Sequence, residues 1–336
     1  MTPAVCLCIC TYRRPQGLDG LLRALAFLRL GDLPDAALRV VVVDNAPDGS
    51  AEPIVARRAP DARFALSYVH ERRKGLASAR NAALEAGLAS GAAWIAFIDD
   101  DEAPEPGWLA AHLATLEATG AAASVGPVYP VFASPPPLWA RRGGFFAAVD
   151  RDAAVDGAGV LRAREAYSGN VVLSRSALAA SGLRFDPDFD EIGGEDTAFF
   201  RALAEMGHVI AVSPEAVVHE WTPADRVRPG WLVRRWFRTG GVEARLLGAE
   251  LGARRAHARL RNAGRGLVRI GGGGARLVLT TLWAGWRDPA RIVARLFTVA
   301  RGGGLLAAAF GLGYREYARP QVEARGAPRG PEERRP

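Results

Sequence analysis

Short, unbroken apolar runs recur through the first third of the chain, and each stops abruptly at polar side chains. Residues 4 to 10 run into Thr11, the valine-rich segment from Arg39 ends in Asp44-Asn45, and Trp94 to Ile98 runs into Asp99-Asp100-Asp101. Runs of this length without polar alternation are the mark of strands buried on both faces, as in parallel sheets. Between the first two, Leu18, Leu21, Leu22, Leu25 and Leu28 fall at helical spacing over residues 17 to 30. A strand over 65 to 69, a helix over 76 to 88 and a helix over 107 to 119 continue the alternation. Strand, helix, strand is the unit of a parallel sheet, so the pattern predicts a doubly wound α/β fold with helices on both faces. Ligands in such sheets sit beyond the carboxyl ends of the strands. Thr11 to Arg14, Asp44-Asn45 and Asp99 to Asp101 should therefore converge on one crevice.

With 336 residues and 49% hydrophobic content, the chain can bury a substantial core. Its formal charge of +7 suits nucleic acid, an anionic membrane or a phosphorylated ligand. Lys74 is the only lysine among the cations, and alanine and glycine are abundant. The arginine excess thus reads first as compositional bias. Cys6, Cys8 and Cys10 alternate along the first run, which places them on one face of a strand as small hydrophobes in core packing. Thr11 to Pro15 interrupts that run too early for a secretory signal, so the chain is expected in the cytoplasm.

Residues 129 to 166 carry Pro130, Pro135-Pro136-Pro137 and several glycines with little periodicity, the pattern of a long mobile loop. Order returns at Ser168 to Leu173, a helix opens at Glu195-Asp196, and strands are expected at 209 to 212 and 216 to 219. The character changes near Pro223, which divides the chain into 1–222, an arginine-rich helical region at 223–316 and a disordered tail at 317–336. Gly266 to Trp286 and Ile292 to Tyr314 are apolar, but Arg269, Arg276, Arg295 and Arg301 are too many charges for ordinary membrane spans. Two readings stand: amphipathic helices lying on a membrane surface, or an apolar helical unit packed on the sheet.

Aligned carboxylates at a strand end repel one another, and a cation relieves them. Alternation along the strand places Asp99 and Asp101 on one side and Asp100 on the other, a pair of hard oxygen ligands for Mg2+ or Mn2+. A solvated acidic turn is the plainer reading. Glu195-Asp196 follows Gly193-Gly194, which lets the backbone approach a ligand closely, though carboxylates there also cap a helix.

Four segments, in order, carry a resemblance to the family 2 glycosyltransferases: Cys10-Thr11-Tyr12-Arg13-Arg14, Val43-Asp44-Asn45, Ile98-Asp99-Asp100-Asp101 and Gly193-Gly194-Glu195-Asp196. The resemblance implies the GT-A fold, a Rossmann-like mixed and mainly parallel sheet flanked by helices, here with an α-helical C-terminal extension. It also implies an inverting transferase that moves a sugar from a nucleotide diphosphate sugar to an acceptor hydroxyl.

By that resemblance Thr11, Arg13 and Asp44 line the nucleotide pocket; turn capping is the alternative for Thr11 and Asp44. Arg80, in the segment Lys74 to Asn81, meets the diphosphate or pairs with Asp44 or another carboxylate. Asp99 and Asp101 hold a divalent cation, Mn2+ or Mg2+, with His219, and Asp100 touches the donor. Gly169 and Asn170 border the donor sugar. Asp196 is the general base, and Glu195 orients acceptor or sugar. Arg235 and Trp236 resemble a shortened Gln-x-x-Arg-Trp motif; Leu232 and Val233 stand where glutamine would be expected, which favours single addition over processive synthesis. Arg235 would meet phosphate and Trp236 an acceptor sugar, or both belong to a basic-aromatic interfacial helix.

The overall pattern is similar to bacterial exopolysaccharide enzymes of the succinoglycan type. The basic and apolar C-terminal third points to a lipid-linked glycan acceptor and peripheral contact with the inner face of the cell membrane. A nucleotidyltransferase is the rival enzyme, but Cys10 to Arg14 lacks the glycine of its phosphate loop. A basic nucleic-acid-binding protein is the non-enzymatic rival; it leaves the acidic crevice unexplained, and no nucleic-acid partner is expected.

Overall fold

The computed structural model describes residues 4–31, 33–146, 166–251, 255–283 and 288–313. The elements begin β1 (Val5–Thr11), α1 (Pro15–Leu25), β2 (Leu38–Asp44), α2 (Glu52–Arg58), β3 (Ala65–His70), α3 (Leu76–Ala89) and β4 (Trp94–Asp99). They continue with β5 (Glu102–Pro104), α4 (Trp108–Thr119), β6 (Ala123–Val125), β7 (Val128–Phe132) and α5 (Leu138–Gly143). After residue 165 come β8 (Asn170–Ser174), α6 (Arg175–Ser181), α7 (Glu195–Glu205), β9 (Ile210–Val212) and β10 (Val218–Thr222). Helices α8 (Pro229–Leu251), α9 (Arg255–Trp283) and α10 (Pro289–Ala309) complete the described chain.

The main sheet has the order β3-β2-β1-β4-β8-β6-β9 and is parallel except for β8, which runs against β4 and β6. This is the mixed, mainly parallel sheet that the resemblance implies, and its parallel part is what the run pattern predicts. Its two faces are divided by the alternation of β1. Val5, Leu7 and Ile9 pack with the leucines of α1 and with Trp108 and Leu116 of α4, whereas Cys6 and Cys8 pack with Ala77, Ala79 and Ala83 of α3. Each fully buried leucine or isoleucine contributes roughly 1.5–3 kcal/mol relative to exposure. The alanine face and Gly87, against Ile95, let α3 lie close to the sheet.

From β1 the chain steps outward through β2 and β3, then crosses back to place β4 on the other side of β1. The point where strand order reverses lies between β1 and β4, where Thr11 pairs in register with Asp44 and Cys10 with Asp99. Helices flanking such a point splay apart and leave a crevice at the strand ends.

Part of the expected long loop is regular structure. β7 pairs in parallel with β10 in a second sheet of order β5-β10-β7, and α5 follows the three prolines. Pro130 obscured this strand, and it is tolerated because β7 lies at the sheet edge. Residues 147–165 fall outside the described residues, as does the tail expected at 317–336.

The described parts of the two apolar C-terminal stretches fall mostly in α9 and α10, which pack with α8 as a three-helix bundle, while residues 284–286 and 314 lie outside the described residues. Glycines set its close crossings: Gly240 lies against the backbone of Arg301, Gly304 against that of Phe237, and Gly266 against Gly302. Glu243 of α8 ties the helices together, accepting hydrogen bonds from Arg265 and Arg269 of α9 and Arg301 of α10. Burial works against its charge, yet Arg269 and Arg301 hold its carboxyl below the usual range. By length and composition α10 is apolar enough to cross a membrane, with a mean hydropathy of 1.4.

Candidate active site

A cavity of about 680 Å³ opens at the carboxyl ends of β1 and β4. Thr11, Asp99, Asp100 and Asp101 line its floor, Gly193 to Asp196 one wall, and Arg226, Arg235 and Trp236 another. Thr11 Oγ1 donates to Asp100 Oδ2 at 2.7 Å, and Arg14 Nη1 donates to Asp100 Oδ1 at 2.9 Å and Asp101 Oδ2 at 2.8 Å. The expected opposition of Asp100 to Asp99 and Asp101 does not occur. Strand β4 stops at Asp99, so residues 100 and 101 turn, and all three carboxylates face the same cavity. Gly17, whose added Cβ would meet the Asp100 carbonyl at 2.6 Å, lets α1 approach this turn.

Burial pushes the Asp100 carboxyl up to about 6 against the opposing charge of Arg14. Asp99 keeps 44% of its side chain exposed to the cavity, yet desolvation by the surrounding protein still raises its carboxyl, opposed by Arg80. Burial likewise holds Glu102 well above the usual range, with Asp99 adding to the effect. Glu102 Oε2 accepts the Asp99 backbone N–H at 2.9 Å. The floor therefore holds more negative charge than its surroundings favour, and a cation would relieve it. Among the described residues no three Asp, Glu, His or Cys side chains are placed to ligate one ion. The donor set fits a hard cation of the Mg2+ kind, which takes one or two protein carboxylates and completes its shell with water and phosphate oxygens.

Arg80 joins the floor to the wall. Its guanidinium pairs with Glu195 Oε1 and stands 3.7 Å from Asp99 Oδ1, and it makes no pair with Asp44. Glu195 is 1% exposed, and its Oε2 has no partner among the described residues. Asp196 lines the cavity, accepts the Thr197 backbone N–H at 2.7 Å and, as an acid in the first turn of α7, sits favourably at that helix end. Gly193 and Gly194 take left-handed φ values of 75° and 93°. A side chain at Gly194 would strike Val242, so this glycine serves the fit of α8 as well as the turn.

Three expected site residues lie elsewhere. Asp44 is fully buried, accepting the N–H groups of Ala46 at 2.8 Å and Ala51 at 2.7 Å and the Tyr68 hydroxyl at 3.3 Å. Its capacity is spent on the turn. The neighbouring Asn45 reaches the cavity instead, with Oδ1 accepting from Gly75 N–H at 2.9 Å and Nδ2 donating to the Glu71 and Arg73 carbonyls. Arg13, at φ 51°, turns towards Asp48 at 3.6 Å, and Arg14 points inward in its place. His219 faces away, with Nε2 3.1 Å from Glu105 Oε1. Alternation along β10 brings Glu220 and Thr222 into the cavity, and Glu220 pairs with Arg226 at 3.2 Å.

Gly169 and Asn170 do border the cavity, in different roles. A Cβ at Gly169 would sit 2.8 Å from Glu102 Oε1 and 3.2 Å from Asp99 Oδ2, so glycine keeps the floor open. Asn170 is saturated: Oδ1 accepts from Trp108 Nε1 and His112 Nε2, and Nδ2 donates to the Pro127 and Ala216 carbonyls. It fastens β8 to its surroundings.

The model of glycosyl transferase family 2 matches residues 6–178, just over half of the chain. The chain belongs to this family. The succinoglycan biosynthesis protein ExoM of Rhizobium meliloti is 39% identical over 239 residues, covering 71% of this chain and 74% of that protein. The mannosyltransferase PcManGT of Pyrobaculum calidifontis, solved with GDP-Man and Mn2+, superposes with a TM-score of 0.55 at 22% identity, covering 90% of this chain and 87% of that one. TarS residues 1–349 of S. aureus, solved with UDP, gives 0.50 at 15% identity, with 93% of each chain covered. The fold is therefore GT-A.

The family match ends before the cavity's far wall, which α8 supplies. Arg235 lies over the Trp231 ring at 5.3 Å; burial pushes its guanidinium below its ordinary value, and Glu220 opposes that. Trp236 meets Phe145 edge-on at 5.7 Å and Phe297 at 5.3 Å, so its indole joins α8 to α10 and to the segment after α5. Phe146, Tyr167 and Trp231 add aromatic surface to the same end of the cavity. Glu102, Glu220, Arg226 and Trp231 are cavity residues that sequence reasoning missed, and Arg14, expected in the crevice, takes the place assigned to Arg13. Glu220 had a signal, since period two from the strand core places either it or His219 inward.

Proposed function

We propose that this enzyme transfers a single sugar from a nucleotide diphosphate sugar to an acceptor hydroxyl with inversion at the anomeric carbon. The observation that carries the reading is one cavity lined by both the Asp99 to Asp101 cluster and Asp196, ringed by Arg14, Arg80, Arg226 and Arg235. Asp99 and Asp101 would hold a divalent cation, Mn2+ or Mg2+, which when bound neutralises charge developing on the leaving diphosphate. Asp196 takes the proton of the acceptor hydroxyl as it attacks. Arg80 holds Glu195 and Asp99 in fixed relation, so wall and floor keep their spacing. Tyr12, Asn45 and Lys74 border the end of the cavity assigned to the nucleotide, and the aromatic end takes the acceptor.

The catalytic unit is residues 1–222, with 223–316 as a helical extension. The role of the Rhizobium relative in succinoglycan biosynthesis supports a place in exopolysaccharide synthesis. The acceptor is then a lipid-linked glycan, met at the inner face of the cell membrane, with the helical extension in peripheral contact. A screen of UDP-, GDP- and dTDP-sugars by thermal shift with Mn2+ identifies the donor, since a ligand at a hundredfold its Kd stabilises by about 2.7 kcal/mol. NMR of the product then reads the anomer. Inversion supports the proposal, and retention contradicts it.

A further inference from the structure

Helix α9 buries one face in the bundle and leaves the other bare. Leu260, Leu267, Val278 and Leu282 are separated by seven, eleven and four residues, each close to a whole number of helical turns. They form one line along the outer face, with Val268 and Trp283 beside it. Leu260 is 74% exposed, Leu282 75% and Trp283 91%. At 1.5 Å per residue the line runs about 33 Å. A stripe of this size is far more than the scattered apolar residues of an ordinary surface.

The charge pattern says what covers it. Helix α9 contains six arginines and no acidic residue. Arg265 and Arg269 turn inward to Glu243, while Arg259, Arg261 and Arg276 are exposed near the stripe. A second copy packed stripe to stripe would bring two acid-free, arginine-bearing helices together, an arrangement that like charges oppose. An anionic lipid surface meets both features at once: acyl chains receive the leucines, and headgroup phosphates receive the arginines. Helix α10, though the more apolar, is held by the bundle, with Gly302 and Gly304 against α9 and α8.

We infer that the outer face of α9 is a membrane-docking surface for anionic lipid, lying in the plane of the interface while α10 stays in the bundle. The inference rests on the proposed membrane-linked acceptor, and it names the face that makes the contact. The test is co-sedimentation of the full chain with phosphatidylcholine vesicles, with and without phosphatidylglycerol. Two variants accompany it: Leu267→Asp/Val278→Asp/Leu282→Asp, and Arg259→Gln/Arg261→Gln/Arg276→Gln. All six positions are exposed, and metal-dependent hydrolysis of the nucleotide sugar monitors the catalytic cavity. The expected result is strong binding to anionic vesicles alone and a loss of about tenfold or more in either variant, with hydrolysis unchanged. Equal binding by wild type and the leucine variant would overturn the inference, as would no binding by wild type. So would a wild-type dimer that the leucine variant turns into a monomer. Failed vesicle binding with hydrolysis intact rejects the docking face only, whereas absent hydrolysis and transfer reject the sugar-transfer reading.

Discussion

Arg80 shows how much of this site rests on single side chains. It is nearly buried and neutralises Glu195, which has no other cation within ion-pair reach among the described residues. Arg80→Met leaves a buried carboxylate alone, a change expected to cost about 3–5 kcal/mol of stability. Urea denaturation measures this directly, and Glu195→Gln in the Arg80→Met background should recover part of the loss. Asp196→Asn removes the proposed proton acceptor and leaves the floor untouched. Its kcat should fall by roughly 10²–10⁴-fold, with thermal shift by the donor preserved. Asp100 gives a pH signature. Its folded carboxyl titrates near 6 against an ordinary 3.8, so the folded protein holds a proton that the unfolded chain has released. That contribution to stability is fully present below about pH 4 and is lost as pH rises through 6. Between about pH 4 and 6 the unfolding midpoint of wild type should therefore fall more steeply with rising pH than that of Asp100→Asn, and equal slopes would contradict this.

The elements explain which side chains were legible in the sequence and which were not. The run that ends in Asp99 places the acidic cluster at a crevice because unbroken apolar strands and helical leucines leave few other arrangements. The sequence does not say where β4 stops, and that one-residue question decides whether Asp100 faces away or joins Asp101 on Arg14. At β10 the same alternation that marks the strand puts Glu220 inward and His219 outward. The phase depends on pairing with β5 and β7, and Pro130 hid β7. Asp44 ends its strand as expected, but whether an aspartate there caps a turn or faces a ligand depends on loop closure, not on local pattern. In the bundle, glycines separate into contact and open positions. Gly304→Val forces a side chain onto the Phe237 carbonyl and should destabilise by about 1–3 kcal/mol or more. Gly241→Ala faces open space within α8 and should instead stabilise by up to about 1 kcal/mol. Thermal melts of the two variants in parallel check the pair.

At the scale of the whole molecule, the sheet brings together residues far apart in sequence, and α8 closes the cavity that the sheet only begins. The floor comes from the strand ends of the family 2 core, the proposed base from the start of α7, and the basic-aromatic wall from α8. The bundle bears on the two readings of the apolar C-terminal stretches: α10 packs against α8 and α9, while α9 keeps an outer apolar face. The central claim is that Asp99 and Asp101 hold the cation on which sugar transfer depends. The most direct measurement is release of nucleoside diphosphate from the donor found by the screen, followed as Mn2+ is added to metal-free enzyme. The account predicts release that requires the cation, accelerates with acceptor and falls by about a hundredfold or more in Asp99→Asn/Asp101→Asn. Release that is unchanged by chelation, or that survives intact in the double variant, would contradict it.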